Sequence, residues 1–171
     1  MVSMISRTGR QLQRYNQGCR QVVGCIPYRY KSGTSNDKEL EVLLISSQKG
    51  QSKMMFPKGG WEIDESIEEA AARETFEEAG VQGDVEFELG NWMFKSKRYG
   101  TFYEGFMFSL LVTEQLACWP ERDVRTRRWM TVGEARDVCQ HVWMKEALDE
   151  LVCRLTSSKQ PEEDVSHCSL S

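Results

Sequence analysis

Three glutamates close together in the sequence are the residues best suited to chemistry. Glu74, Glu77 and Glu78 would share one narrow face of a helix, because a helix turns by about 100° per residue. Like charges about 4 Å apart repel by about 4 kcal/mol near a protein surface, so a folding argument alone does not favour this pattern. A hard divalent cation reverses that interaction, since Mg²⁺ and Mn²⁺ prefer oxygen ligands. The spacing therefore indicates a metal site, and the alternative is a solvated acidic face.

The helix that must position these acids is predicted from its two ends. Ser66 and Glu69 fit a capping box at the start, and Gly80 supplies the left-handed residue that commonly ends a helix. Gly59 and Gly60 lie just before this helix, where their small size lets backbone groups approach a metal or a phosphate. The alternative for such a glycine pair is an ordinary turn.

The composition of the chain limits the possible classes of function. With 171 residues, it is long enough for one domain with a full-sized core. A net charge of −4 argues against a general nucleic-acid binder, and no apolar run approaches the ~20 residues of a membrane span. Six cysteines without a C-x-x-C pair, accompanied by two histidines, disfavour zinc and a disulfide framework. We therefore expect buried, reduced thiols, no DNA partner and no membrane insertion.

The remaining patterns predict a layered α/β domain over residues 17–155, with strands on both sides of the glutamate helix. Strands are expected at 17–30, 39–46, 85–97 and 101–113 and around Trp129, followed by helices at 131–140 and 142–155. Residues 1–16 form a basic arm that need not be ordered, and residues 156–171 form a polar tail that we expect to be disordered. Because the first 36 residues lack Asp and Glu, a mitochondrial location is the alternative to a cytoplasmic or nuclear one.

The stretch from Gly59 to Val81 resembles the signature of the Nudix hydrolases. Eight residues stand at the offsets of G-x5-E-x7-R-E-U-x-E-E-x-G-U, where U is bulky and apolar: Gly59, Glu65, Arg73, Glu74, Glu77, Glu78, Gly80 and Val81. Thr75 departs from the pattern, since an aliphatic residue is usual there, and this puts the local packing in doubt. The resemblance implies the Nudix fold, a mixed β-sheet sandwiched between α-helices, and hydrolysis of a diphosphate linked to a moiety X.

The same resemblance implies roles for individual residues. Glu74, Glu77 and Glu78 would bind Mg²⁺, with Mn²⁺ as a substitute, together with the carbonyl of Gly59, while Arg73 would orient acidic partners. Glu65 would support them or simply belong to the acidic turn. Water activated by the metal would attack phosphorus without a covalent intermediate. We predict Glu77 as the general base, and a glutamate outside the signature is the alternative.

Features outside the signature resemble the diphosphoinositol polyphosphate phosphohydrolases, whose members often also cleave diadenosine polyphosphates, and residues 56–61 are particularly like the plant members. The likeness rests on residues 55–62 (MFPKGGWE), 18–25 (GCRQVVGC), Ser46-Ser47 and Arg127-Arg128-Trp129. An inositol pyrophosphate would need several cationic side chains around it. The predicted substrate-binding residues are Arg20, Lys58, Gly59, Gly60, Ser46, Ser47, Lys97, Arg98, Arg127 and Arg128, with Lys95 and Arg125 as further candidates. The alternatives are a diadenosine polyphosphate, another nucleoside diphosphate substrate, or a non-enzymatic ligand sensor or binding module.

Overall fold

A computed structural model describes residues 4–9, 11–31, 39–48, 50–96 and 100–157, apart from the side chains of residues 50–52. Within these ranges the chain forms eight strands and three helices. The elements in chain order are β1 Tyr15–Asn16, β2 Cys19–Lys31, β3 Glu39–Ser47, β4 Gly50–Met55, β5 Lys58–Gly60, α1 Ile67–Ala79, β6 Val81–Lys95, β7 Phe102–Gln115, β8 Arg127–Thr131, α2 Val132–Val138 and α3 Val142–Ser157.

The strands form one mixed sheet whose main path runs β4-β3-β2-β7-β6. Strands β2 and β7 are parallel, and every other pair of named strands in the described residues is antiparallel. Near its start β2 pairs with the short strand β5, while the far end of β2 pairs with β3. This change of partner brings the glycine pair of β5 to the centre of the sheet, beside α1.

Both faces of the sheet are covered, so alternate residues of the central strands pack in opposite directions. Val23 and Cys25 of β2 pack beneath Ala70 and Ala71 of α1. On the opposite face lies a larger cluster formed by β2, β3 and α3. Its fully buried members include Ile26, Val42, Leu44, Met144, Leu148 and Leu151. The predicted α/β sandwich with a central glutamate helix is confirmed.

Helix α1 has the predicted ends. The Ser66 side chain accepts a hydrogen bond from the Glu69 amide, and the Glu69 side chain accepts one from the Ser66 amide. At the other end Gly80 is left-handed, with φ 67° and ψ 32°. Thr75, the departure from the signature, is fully buried, and its hydroxyl donates to the Ala71 carbonyl at 2.8 Å. The threonine therefore packs without leaving its polar group unpaired.

Several predicted boundaries need correction. Strand β6 begins at Val81, directly after the helix-ending glycine, instead of at residue 85, because Gly80 turns the chain straight into the sheet. Helix α2 ends at Val138, and α3 continues to Ser157. Of the described cysteines, Cys118 and Cys153 are exposed, so the expectation of buried thiols is wrong for these two. The predicted tail beyond residue 157 lies outside the described residues.

Candidate functional site

An acidic cleft of about 510 Å³ lies where β5, α1 and the loop 116–126 meet. It contains Glu74, Glu77 and Glu78, together with Glu62 from the turn before α1 and Glu121 from the loop. The residues lining it are Ser6, Arg7, Thr8, Gly9, Gln13, Arg20, Gln48, Gly59, Gly60, Glu62, Glu74, Glu77, Glu78, Glu121 and Arg125. The predicted clustering of Glu74, Glu77 and Glu78 on one side of α1 is therefore what the structure shows.

Arg73 connects two of these acids, Glu74 and Glu77, to Glu65. Its Nη1 donates to Glu74 Oε1 at 2.9 Å and to Glu77 Oε2 at 3.2 Å, while Nη2 donates to the Gly60 carbonyl at 2.9 Å. Its Nε and Nη2 also reach the two oxygens of Glu65, at 2.9 and 2.6 Å. Although burial opposes it, the Arg73 guanidinium lowers the pKa of Glu65. Arg73 therefore positions carboxylates, as the resemblance implied, and Glu65 anchors it.

A second arginine holds the remaining signature glutamate. Arg125 Nη2 donates to Glu78 Oε1 at 3.0 Å, and its Nε donates to Glu121 Oε1 at the same distance. The backbone amide of Lys58 donates to the other oxygen of Glu78 at 3.0 Å. Sequence reasoning grouped Arg125 with the substrate-binding cations and overlooked Glu121, because neither lies near the signature in the chain.

Burial and mutual repulsion set the protonation of the acids. Burial, together with the charges of Glu78 and Glu77, raises the pKa of Glu74 to about 8 despite Arg73. Burial likewise raises the pKa of Glu78 to about 7, although Arg125 and Lys58 oppose the shift, and it raises that of Glu77. The nearby cationic groups therefore do not fully offset burial and repulsion among these carboxylates, and a divalent cation would supply further positive charge.

The donor set fits a divalent cation in its chemistry, since the cleft offers several carboxylates and no thiolate or imidazole. In their present orientation, however, no three acidic, histidine or cysteine side chains of the described residues form a ready metal-binding group. Arg73 and Arg125 pair with oxygens of Glu74, Glu77 and Glu78 in this orientation. A cation at this site would require these side chains to turn away from the guanidinium groups.

Gly59 is required where β5 crosses α1. A Cβ atom added there would lie 2.1 Å from the carboxylate carbon of Glu74. Only a residue without a side chain lets the Glu74 carboxylate rest on the β5 backbone. The close neighbour of Gly59 is thus a carboxylate, and the approach to a metal or a phosphate stays a prediction.

A second, larger cavity of about 870 Å³ adjoins the acidic cleft, and Arg20, Gln48 and Gly59 line both. We call it the basic cavity, because Arg20, Lys58 and Lys95 line it. Its other lining residues are Val22, Gln48, Gly59, Phe94, Ser96, Tyr103, Gln140, His141, Val142 and Trp143. The Arg20 guanidinium lies 5.8 Å from the centre of the Tyr103 ring, and burial lowers the pKa of Lys58.

The other predicted substrate-binding residues lie elsewhere. Ser46 is buried, its hydroxyl accepts a hydrogen bond from the Thr126 amide at 2.9 Å, and with Ser47 it lines a small pocket that shares Gln48 and Arg125 with the acidic cleft. Arg127 donates to the carbonyls of Ala79, Gly80 and Leu116 and stacks on Trp119. It therefore caps the end of α1 and does not line either cavity. Arg128 is exposed on β8, away from both cavities, and Lys97 and Arg98 lie outside the described residues.

The N-terminal segment contributes to the site in a way that its composition did not reveal. The Arg7 amide donates to Glu77 Oε1 at 3.0 Å, and the Arg7 side chain pairs with Glu62 and Asp64. Strand β1 pairs antiparallel with the first two residues of β2, and the Gln13 side chain accepts a hydrogen bond from Arg20 Nε at 2.9 Å. The described part of the arm is therefore packed against the cleft.

The arrangement as a whole can do one kind of chemistry well. An acidic cleft suited to a divalent cation adjoins a basic cavity suited to anions, and Gly59 and Arg20 lie at their junction. A polyanion with one phosphate group in the cleft and the rest in the cavity would meet opposite charge in both places.

Comparison with known proteins agrees with this geometry. The NUDIX domain matches residues 21–153. Nudix hydrolase 18, mitochondrial, of Arabidopsis thaliana is 65% identical over 169 residues, which cover 96% of this chain and 95% of that protein. Diphosphoinositol polyphosphate phosphohydrolase 3-beta of Bos taurus is 34% identical over 126 residues, covering 72% and 71%. A NUDIX hydrolase structure from Nitrosomonas europaea superposes with a TM-score of 0.65 at 20% identity, covering 80% and 90%, which shows the shared fold.

Proposed function

The chain belongs to the NUDIX domain family and is a hydrolase of phosphoanhydrides, and from that premise we propose that its substrates are diphosphoinositol polyphosphates. The observation that carries this proposal is the basic cavity beside the acidic cleft. Three cationic side chains, Arg20, Lys58 and Lys95, line a space large enough for a substituted ring. The likeness to a bovine protein named for this substrate class supports the proposal.

The charge on the substrate explains why such a cavity is needed. An inositol pyrophosphate concentrates many phosphate charges on a compact ring, and charge-assisted hydrogen bonds from Arg and Lys bind such groups strongly. Lys58 suits this role because it is half-buried beside the cleft, where desolvation lowers the pKa of its ammonium group. Phosphate groups placed next to it would restore its preference for the charged form.

We assign the divalent cation, Mg²⁺ with Mn²⁺ as a substitute, to Glu74, Glu77, Glu78 and the carbonyl of Gly59. When bound, such a cation lowers the pKa of water and neutralises charge on the phosphates. Arg73 forms an ion pair with Glu74, and Arg125 forms one with Glu78. Because these side chains are largely buried, bulk water screens their charges little. The reaction is attack of water at phosphorus, without a covalent link to the protein.

The general base must lie within hydrogen-bond reach of that water. We retain Glu77 for this role, since it lies between the cleft and the N-terminal segment and its pKa is raised by burial. The alternative, a glutamate outside the signature, now has a definite candidate in Glu121, whose side chain lines the same cleft. Comparison of Glu77→Gln with Glu121→Gln in pre-steady-state hydrolysis separates the two.

A second candidate substrate, a diadenosine polyphosphate, is favoured by one feature. Phe94 stacks on both Tyr103 and Trp143, with ring centres 5.4 and 4.8 Å apart, and all three rings line the basic cavity. A nucleobase binds well to aromatic side chains. These rings already stack on one another, however, and Arg20 lies over Tyr103. The cations therefore favour the inositol compound.

A competition assay tests the choice of substrate. The protein is offered a diphosphoinositol polyphosphate and a diadenosine polyphosphate at equal low concentrations, and kcat/KM is compared. We expect preference for the inositol compound, and Arg20→Gln should reduce that preference. Arg29→Gln, which changes an arginine near the other end of β2 paired with Glu41, serves as the control. A large preference for the dinucleotide would overturn the proposal.

The location of the protein is a separate question. In the part of the chain that the structure describes, no helix is long and apolar enough to cross a membrane. The Arabidopsis relative is named mitochondrial, which supports the mitochondrial alternative over the cytoplasmic or nuclear one. We propose that the chain enters mitochondria. To test this, the radiolabelled full chain is incubated with isolated mitochondria, and the fraction that becomes protected from added protease is measured.

A further inference from the structure

Arg125 is bound on three sides by parts of the protein that are far apart in sequence. Its Nε donates to Glu121, its Nη2 to Glu78, and its Nη1 to the backbone carbonyl of Ser46, each at 3.0 Å. Its side chain is only 9% exposed. One guanidinium therefore connects the loop 116–126, the last turn of α1 and the end of β3.

These partners limit what Arg125 can do. Three of its five N–H groups already donate to protein oxygens, and because its side chain is 9% exposed, little of the guanidinium is accessible to a substrate phosphate. Glu78 has few other means of orientation, since its second described partner is the Lys58 amide. A carboxylate that must bind a cation in one orientation is commonly fixed by such an outer partner.

We propose that Arg125 is a positioning residue, which fixes the orientation of Glu78 and holds Glu121 at the acidic cleft. It acts as the counterpart of Arg73, which holds Glu74 and Glu77 from the other side. This role concerns the phosphoanhydride chemistry of the family and is independent of which moiety carries the diphosphate. It differs from the substrate-binding role that the sequence suggested for Arg125.

The geometry of the contacts supplies a sharp test, because lysine keeps the charge but has a single nitrogen. Arg125→Lys and Arg125→Ala are compared with Arg122→Ala, which alters an exposed arginine of the same loop that contacts Cys118. kcat and KM are measured with a diphosphoinositol polyphosphate and with a diadenosine polyphosphate. Near-ultraviolet circular dichroism at the assay temperature establishes that each variant is folded.

We expect both Arg125 variants to lose kcat by at least about tenfold, as for other partners of metal-binding side chains, with KM changed by less than about threefold. The loss should be equal for both substrates, and Arg122→Ala should retain full activity. Three results would overturn the proposal: rescue by lysine, a loss confined to KM, or a loss specific to one substrate. If the alanine variant does not fold, the lysine variant still decides.

The N-terminal segment carries an independent inference. Residues 4–9 lie across the acidic cleft and are held by two described anchors. The Arg7 side chain pairs with Glu62 and Asp64, and the Ser6 hydroxyl donates to Glu121 Oε2 at 3.1 Å. Between these anchors, the Arg7 amide donates to Glu77 Oε1. Because Arg73 donates to the other oxygen of Glu77, each oxygen of this carboxylate already accepts one hydrogen bond.

We infer that residues 4–9 form a strap that competes with a divalent cation for Glu77. A cation that binds Glu77 would have to share or displace an oxygen that already accepts a hydrogen bond from the Arg7 amide or the Arg73 side chain. Release of the strap would remove the hydrogen bond from the Arg7 amide to Glu77 Oε1. The strap therefore lowers the affinity of the cleft for the cation, and its anchors set how much.

Binding of Mn²⁺, measured by electron paramagnetic resonance without substrate, tests the strap directly. Arg7→Ala removes the ionic anchor, and Ser6→Ala removes the other anchor without changing the charge. Arg154→Ala, which removes a similarly exposed arginine paired with Glu150 on α3, is the control. We expect Arg7→Ala to tighten Mn²⁺ binding at least about fivefold, a typical coupling between linked sites, and Ser6→Ala to tighten it less.

The neutral variant decides between a strap and a simple loss of charge. If Ser6→Ala leaves the Mn²⁺ affinity unchanged while Arg7→Ala raises it, the loss of a nearby positive charge explains the effect and the strap is refuted. Weaker Mn²⁺ binding in Arg7→Ala would refute it as well. Neither result bears on which substrate the protein cleaves, so the proposed function is tested separately.

Discussion

At the scale of single residues, two arginines divide the acids of the cleft between them. Arg73 pairs with Glu65, Glu74 and Glu77, and Arg125 pairs with Glu78 and Glu121. Buried carboxylates without such partners would mostly be protonated and could not serve as ligands. The guanidinium groups oppose that protonation, but the pKa values of Glu74 and Glu78 remain raised.

The raised pKa of Glu74 makes a prediction about stability. In the folded protein Glu74 keeps its proton to about pH 8, whereas the unfolded chain releases it near the usual value of 4.5. The folded state binds more protons between these values, so the free energy of unfolding contributed by this group falls as the pH rises through that interval. Glu74→Gln, which mimics the protonated form, should therefore flatten this fall and raise the melting temperature at pH 8.

The measurement is thermal unfolding from pH 4 to pH 8 with a chelator present, so that divalent cations do not contribute. Glu68→Gln, on the exposed side of the same helix, controls for the loss of one charge. Equal pH dependence of the parent and the Glu74→Gln variant would show that Glu74 ionises normally in the folded protein.

At the scale of elements, helix α1 depends on its neighbours at the end where the acids lie. Its last carbonyls have partners from the segment 116–127: Glu77 accepts from the Glu121 amide, Glu78 from Trp119 Nε1, and Ala79 from Arg127. Helix α1 has no basic residue in its own last turn, so Arg127 supplies the positive charge that a helix C-terminus favours. The same segment thus closes the helix and brings Glu121 to the cleft.

The end of α1 provides a prediction about folding stability. Gly80→Ala forces alanine into the left-handed region and places its Cβ 2.6 Å from Arg127 and 2.7 Å from Trp119. The free energy of unfolding should fall by about 1–3 kcal/mol, as measured by urea denaturation. Gly18→Ala serves as the control, because Gly18 has φ +80° and no atom within 4 Å of an added Cβ, so that only the cost of the left-handed backbone applies. Equal losses in the two variants would mean that crowding at Arg127 and Trp119 adds nothing.

The contact between β5 and α1 provides a prediction about activity. In Gly59→Ala the added Cβ meets the end of the flexible Glu74 side chain, which can move aside. The melting temperature should therefore change little, while kcat falls at least about tenfold because Glu74 is displaced. Gly133→Ala, in α2 with no atom near the added Cβ, should keep normal activity. Full activity of Gly59→Ala would show that the position of Glu74 is not critical.

At the scale of the whole molecule, the sheet separates the site from the larger part of the core. Helix α1 and the cleft lie on one face, and the cluster containing Leu148 lies on the other. Leu148→Ala should lower the free energy of unfolding by about 2–5 kcal/mol, because it leaves a cavity among fully buried side chains. Leu155→Ala, at a partly buried position of the same helix, should lower the free energy of unfolding by less.

Activity measured on the folded fraction should survive this loss of stability, since the cleft is built on the opposite face. Denaturant unfolding and steady-state kinetics on the same Leu148→Ala preparation check both parts. A fall in kcat at temperatures where the variant is fully folded would show that the two faces of the sheet are coupled.

The sequence alone determined the features that depend on short spacings. Glu74, Glu77 and Glu78 had to share a helix face because α-helical geometry is regular, and Ser66, Glu69 and Gly80 marked the helix ends through local hydrogen bonding and backbone freedom. The same local rules predicted most strands and the layered fold. They misplaced the start of β6, because the turn at Gly80 is tighter than a typical connection.

Only the tertiary structure decided which residues complete the site. Arg125 meets Glu78 across 47 positions in the chain, and the Arg7 amide meets Glu77 across 70. The tertiary structure also places Arg127 away from both cavities. Its guanidinium donates to the carbonyls of Ala79 and Gly80 at the end of α1. The physical reason is that such contacts follow from the order and direction of strands in the sheet. Local periodicity carries no information about which distant segments will meet.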